Sequence, residues 1–293
     1  MKKSRKKSSS VAQTSTGNTM IDIVKEQVKT LMDSGQISAF LGLKEKQGSV
    51  FPFLYKSVQD LDEGFSLGDL EKPGQARYPI AKLLMRIVKS DAETSYGALF
   101  RGCDERAWNE LLRWNQVNSP QRVFKVGIAC PSELAQKHEC RKPFPDEYVA
   151  GEKVDPVENI SVQEVMGKDL GARLEYWMGE FDRCIKCYGC RNVCPVCFCN
   201  VCTLEQDSLI KTGDIPPENP MFHLTRAVHM AGRCIDCNLC TEACPSDIPL
   251  RILYKRVAEI ISDEFGYVTG EIAAGKSPLN ILGSDPGHTA AND

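Results

Sequence analysis

No stretch of this 293-residue chain approaches the roughly 18 consecutive apolar residues that read as a membrane span. Nor is there an excess of positive charge. Lys and Arg number 36 against 39 Asp and Glu, for a net charge of −3, which speaks against the basic face of a nucleic-acid binder. No G-x-G-x-x-G follows an expected strand, and neither a P-loop nor a nucleophile elbow is present. A nicotinamide or nucleotide site is therefore unsupported. The opening residues MKKSRKKSSSVAQTSTGNT lack an apolar stretch behind their charges, so they do not read as a secretory signal. Their composition cannot offset the entropy of ordering, and residues 1–20 are expected to form a disordered basic tail.

Cysteine, by contrast, is abundant, at 14 residues. Disulfide-dense scaffolds are usually small and secreted, whereas this chain is large. Reduced thiols in the cytoplasm, held as metal ligands, are the expectation. Seven of them crowd into RCIKCYGCRNVCPVCFCNVC, residues 183–202.

The remainder of the chain divides by pattern. Residues 21–34 carry apolar positions at helical spacing and stop at Gly35. ISAFLGL (37–43) and VFPFLY (50–55) read as strands around a turn, and YPIAKLLMRIVKS (78–90) as a helix. SYGALFRGC (95–103), DERAWNELLRWNQV (104–117) and RVFKVGIAC (122–130) form a strand–helix–strand unit whose strands should be parallel. Cys103 and Cys130 then sit just past the carboxyl ends of neighbouring strands, on the edge where open α/β sheets bind ligands. Residues 141–165 are Pro-rich and charged and look like a linker. A helix over 166–183 leads into the cysteine block, and 266–293 are expected to be a flexible tail.

The block has an echo. CIKCYGCRNVCP begins at Cys184 and CIDCNLCTEACP at Cys234, both C-x2-C-x2-C-x3-C-P. At this cysteine content each motif arises by chance at roughly one in ten thousand, and here there are two. Three thiolates at this spacing wrap an iron–sulfur cube, and the fourth reaches the other cluster, as in two-cluster ferredoxins. One 4Fe–4S cluster is thus expected on Cys184, Cys187, Cys190 and Cys244, the other on Cys234, Cys237, Cys240 and Cys194. Zinc is the rival occupant, since paired C-x2-C units also hold it. MFHLTRAVHMAGRC and PLRILYKRVAEIISDEF look helical, so a helical ferredoxin module fits better than a hairpin one. His223 and His229 are expected to pack or cap rather than ligate. Tyr188 and Phe198 are expected to cover a cluster and exclude water. Cys103, Cys130, Cys140, Cys197, Cys199 and Cys202 are left over and are the candidates for a third cluster.

RGCDERAWNELLRWNQV, then VGIAC, then the paired motifs running into CPVCFCNVC resemble the beta subunits of coenzyme F420-linked hydrogenases and formate dehydrogenases. The similarity is greatest to the branch found beside heterodisulfide-reductase-like flavoproteins, and it covers roughly residues 21–265. It implies electron transfer between a deazaflavin or flavin and iron–sulfur chains, with FAD and an extra 4Fe–4S cluster. In the family that extra cluster uses cysteines matching Cys103 and Cys130 and a C-x2-C pair. KHEC is the counterpart here, with Cys140 at its second position and Lys137 at its first. The missing ligand would come from Cys197, Cys199 or Cys202, or from His138; alternatively the CPVCFCNVC thiols hold the cluster, or there is none.

The expected architecture is an α/β domain over 21–165, with a parallel or mixed sheet, followed by a mainly helical two-cluster ferredoxin-like domain over 166–265. The expected function is electron relay within a redox complex. Its partners would be a hydrogenase or formate dehydrogenase subunit and a heterodisulfide-reductase- or ferredoxin-type protein. The alternative is a flavin-binding subunit that itself exchanges hydride with F420. No catalytic residue is assigned.

Overall fold

A computed structural model describes residues 18–91, 93–206 and 220–279. The expected basic tail falls outside them up to residue 17, as does the last part of the expected C-terminal tail.

Thr19 opens the first helix, α1 (Met20–Asp33), through a capping box: its hydroxyl accepts from the Asp22 amide, and the Asp22 carboxylate accepts from the Thr19 amide at 3.0 Å. Val24, Val28 and Leu31 form its buried stripe. Strands β1 (Ala39–Lys46) and β2 (Ser49–Tyr55) form a hairpin. Its turn residues Gln47 and Gly48 have φ of 53° and 77°, the pair of positive values that a tight hairpin turn demands. The two-residue β3 (Phe65–Ser66) pairs antiparallel with the far end of β1.

After α2 (Ile80–Ser90) come β4 (Tyr96–Phe100), α3 (Gly102–Arg113) and β5 (Val123–Gly127). The strand–helix–strand unit is as expected, with β4 parallel to both β1 and β5 and sheet order β2-β1-β4-β5. Alternation along β1 divides the core. Phe40 faces α1, whereas Ala39, Leu41 and Leu43 join the core that contains the α2 and α3 side chains. That second core continues without a break into Cys184, Cys190, Cys194, Ile235 and Tyr254, so the cysteine-rich half packs on the α2/α3 side of the sheet.

The rest is helical: α4 (Ser132–Lys137), α5 (Ile160–Met166), α6 (Leu170–Asp182), α7 (Gly189–Asn192), α8 (Met221–His229), α9 (Leu239–Glu242) and α10 (Leu250–Phe265). Among the described residues no strand follows β5, and no helix is long and apolar enough to cross a membrane.

Two segments differ from their sequence reading. The stretch expected as a linker contains α5, and its first part is laid against the sheet's end. The Cys130 amide donates to the Pro143 carbonyl, Val149 to Gly127 and Ala129 to Ala150. Its prolines gave no periodicity to read, yet its backbone groups are satisfied by the end of β5 and the residues after it. Glycine makes room for it: a Cβ on Gly127 would lie 2.0 Å from the Glu147 carbonyl oxygen, and one on Gly102 2.4 Å from that of Lys142. Gly127→Ala should therefore cost about 1–3 kcal/mol through overpacking against backbone, read as a lower urea midpoint. Residues 267–279, expected within the flexible tail, are packed as well. The Tyr267 hydroxyl and the Gly270 amide both donate to the buried Glu110 carboxylate, at 2.8 and 2.7 Å. Ser277 is fully buried beside Gly232.

Candidate metal centres

The two cysteine motifs fold alike. In the first, Lys186 and Tyr188 are left-handed, at φ 54° and 59°; in the second, Asp236 and Asn238 are, at 58° and 65°. Each such residue costs roughly 1–2 kcal/mol for an L amino acid, and strain of this kind persists only where its surroundings fix it. The winding turns amides toward sulfur: Lys186 N–H donates to Cys184 Sγ and Gly189 N–H to Cys187 Sγ, both at 3.4 Å. A one-turn helix follows in each motif, α7 and α9, and these two lie against each other. Pro195 and Pro245 then turn the chain away.

Two cavities result. One, of about 20 Å³, is walled by Cys184, Cys187, Cys190 and Cys244. The other, also of about 20 Å³, is walled by Cys234, Cys237, Cys240 and Cys194. These are the quartets that the spacing of the motifs pairs. Tyr188, Phe222, Ile248 and Leu250 line the first, and Val196, Met230, Ile235 and Tyr254 the second. The donor sets suit 4Fe–4S cubes: four thiols each, amide donors aimed at sulfur, and apolar walls. Burial pushes the Cys184 and Cys234 thiols up to about 11 and Cys240 to about 12, so in the metal-free chain these thiols are protonated at neutral pH. Loading them with metal therefore releases protons.

Buried cations surround the cavities. Arg226, from α8, donates to the Cys190 carbonyl at 2.9 Å and lies over the Tyr254 ring at 5.3 Å, between the two quartets. Lys82, from α2, donates to the carbonyls of Asn192 and Cys194 at 3.0 and 3.1 Å, which ties the α/β half to the end of the first motif. Arg251 binds Asp236 at 2.7 and 3.2 Å and also reaches Glu139 and Asn159. Motif spacing did not reveal these residues, because nothing local distinguishes a buried Lys or Arg from an exposed one.

At the carboxyl edge of the sheet, Cys103 begins α3 and Cys130 follows β5. Burial pushes the Cys130 thiol up to about 12, and the proximity of Cys103 and Cys140 pushes it the same way. These three thiols are neighbours. Arg77 donates to Cys103 Sγ at 3.6 Å and Arg106 to Cys140 Sγ at 3.9 Å. Cys103 also shares a small cavity with Cys237 of the second motif. Lys137 reaches away to Glu242 at 3.8 Å. The His138 ring meets Asn238 through Nδ1 at 3.2 Å, and Arg77 and Glu242 through Nε2 at 3.5 Å. Cys197, Cys199 and Cys202 line a different cavity and do not join this trio.

Of the expected cover residues, Tyr188 lines the first cavity, but Phe198 packs against Trp114 at 6.1 Å and lines neither quartet. His223 stacks on Phe181 at 4.3 Å, and its ring nitrogens lack a hydrogen-bond partner among the described residues. Burial, reinforced by Arg226, pushes its pKa down to about 4. The unfolded chain thus takes up a proton near pH 6.5 that the folded chain refuses until about pH 4. Stability should fall by up to about 3 kcal/mol as pH drops through that window. His223→Phe should flatten this part of the profile, as measured by urea unfolding at successive pH values.

No protein-family model matches the chain. Curated proteins do, two of them beta subunits of formate dehydrogenases. The F420-dependent formate dehydrogenase subunit beta of Methanocaldococcus jannaschii is 46% identical over 97 residues, which is 33% of this chain and 26% of that protein. The F420-dependent formate dehydrogenase 1 subunit beta of Methanococcus maripaludis is 44% identical over 113 residues, 39% of this chain and 28% of that protein. The match spans about a quarter of the length of these relatives. Within it, the chain is similar to the beta subunits of F420-dependent formate dehydrogenases.

Proposed function

We propose that this chain is an iron–sulfur electron-transfer subunit of a multi-subunit redox complex. It would relay single electrons through two ferredoxin-type 4Fe–4S clusters and a third on Cys103, Cys130 and Cys140. The observation that carries this reading is the pair of cavities, each walled by three cysteines of one motif and the last cysteine of the other. Such clusters cycle by one electron, at potentials set by charge, hydrogen bonds and exposure. Here the amides at sulfur and the Arg226 guanidinium are the residues that would raise those potentials. Residues 21–165 and 166–265 are the proposed α/β and ferredoxin-like parts, joined through Lys82 and Arg251.

Zinc fits less well. Four thiolates on one zinc ion crowd within about 4 Å of one another, given bonds of about 2.3 Å. Among the described residues no three His, Cys, Asp or Glu side chains gather closely enough to hold a single ion. The partners are proposed from the relatives' names: a formate dehydrogenase or hydrogenase subunit on one side, and a heterodisulfide-reductase- or ferredoxin-type acceptor on the other.

The third centre is tested separately. Cys103→Ser should lower iron content by about four atoms per chain and leave the ferredoxin-type signals in place. Unchanged iron would contradict a cluster at the sheet edge. The second reading, a flavin-binding subunit that exchanges hydride with F420, is favoured by the F420 dependence in the relatives' names. A bleachable flavin band in the purified chain would support it, and a flavin-free extract would favour the wire.

A further inference from the structure

Three thiols take no part in the centres above, and they share a site of their own. Cys197, Cys199 and Cys202, in the pattern C-x-C-x2-C, line one cavity of about 470 Å³, far larger than the cavity walled by Cys194 and the second motif. Cys194 lines only the smaller cavity and Cys197 only the larger, and the two thiols meet in a hydrogen bond where the cavities adjoin.

Each of the three thiols has an arginine. Arg226 donates to Cys197 Sγ at 3.6 Å and Arg233 to Cys199 Sγ at 4.0 Å, while Arg191 hydrogen-bonds Cys202. The arginines are held in place by other contacts. Arg233 lies 3.9 Å over the Trp114 ring and 5.0 Å over Phe198, which is the role that side chain has in place of covering a quartet. Arg226 is anchored on the Cys190 carbonyl, and Arg191 pairs with Glu205 at 2.6 Å. Lys82 and Arg86 add positive charge to the lining, in which Glu205 is the one acid among the described residues. Guanidinium groups beside the three sulfurs supply positive charge to offset the anion that bound thiolates and a cluster would form. All three thiols are free of disulfides, and no group among the described residues is tight enough for a single ion. A cube, which spreads its ligands over separate corners, suits them better.

We propose that Cys197, Cys199 and Cys202 hold a further 4Fe–4S cluster by three thiolates, with its fourth iron open to the basic cavity, where a small anion such as a carboxylate or an external thiolate completes its coordination. Three thiolates outweigh the charge of an oxidised cube, and the surrounding guanidinium groups balance the resulting anion. The exposure of Cys199 brings this cluster to the surface, where electrons can enter or leave. The proposal rests on the reading of the chain as an iron–sulfur protein.

The test uses the full chain purified anaerobically with its clusters in place. Replacing all three cysteines with serine should remove about four irons and leave the other clusters' EPR signals intact; Cys199→Ser alone, at an exposed position, should weaken the same centre. Ferricyanide, on taking one electron, should release the open iron as Fe²⁺ and leave a 3Fe–4S signal that the triple variant lacks. Iodoacetamide should not label these thiols in the loaded protein. Full iron content in the triple variant, with all three thiols alkylated in the loaded wild type, would overturn the inference and leave the ferredoxin-type clusters standing. A protein that binds no iron at all would instead overturn the function on which it rests.

Discussion

Cys194→Ser should damage the cluster held by a motif that begins at Cys234, not the one held by the motif in which Cys194 itself lies. Iron content should fall by about four atoms per chain, and one of two interacting reduced-state EPR signals should vanish. Cys194 lines the cavity of Cys234, Cys237 and Cys240, and no cysteine of its own motif lines that cavity. The Lys82 bonds to the carbonyls of Asn192 and Cys194 hold the end of the first motif against α2, where the thiol can reach across. Cys244→Ser should do the reverse and strip the cluster of Cys184, Cys187 and Cys190. If each variant lost its own motif's cluster, the crossed arrangement would be wrong.

The second large effect concerns stability. Arg251→Met should destabilise the protein by about 3–5 kcal/mol, the usual cost of removing one partner from a buried ion pair. Asp236 is fully enclosed. Burial alone would raise its pKa, but Arg251 and Lys255 outweigh that and hold it below the ordinary carboxylate range. Without Arg251, Lys255 at 3.2 Å is left as the ion-pair partner, with Arg106 acting from farther off, and the Glu139 and Asn159 oxygens lose a donor as well. The bond network joins α10, the second motif and the segment after α4, so its loss should loosen the seam between the sheet and the cysteine-rich half. The sign with pH follows from the lowered carboxylate. Its contribution is present above about pH 4 and lost as pH falls through its folded value, so the variant and the wild type should converge at strongly acid pH. A change under about 1 kcal/mol in urea unfolding at neutral pH would mean that Lys255 suffices.

Much of the sheet was legible because its signals are local. Alternating apolar residues flanking Gln47-Gly48 can form little but a hairpin, and SYGALF and RVFKVG around an amphipathic helix specify parallel strands. The spacing of the eight motif cysteines, read with the two-cluster ferredoxin pattern in which the fourth cysteine crosses over, names the same four residues that line each cavity. The leftover six could not be sorted this way. Their division into Cys103, Cys130 and Cys140 on one side and Cys197, Cys199 and Cys202 on the other depends on how the helical half docks on α2 and α3. That docking is carried by buried cations, Lys82, Arg226 and Arg251, which have no periodic signature. The segment 141–159 was misread for a related reason. Its order comes from bonds to the end of the sheet, and the hint of them was a pair of glycines, Gly102 and Gly127, at positions where a side chain would strike passing backbone.

Metal and sulfide analysis of the anaerobically purified chain tests the central claim most directly. Two crossed cubes require at least about eight irons and as many acid-labile sulfides per chain, with a broad brown absorption that bleaches on reduction. A colourless protein carrying zinc and no sulfide would contradict the account.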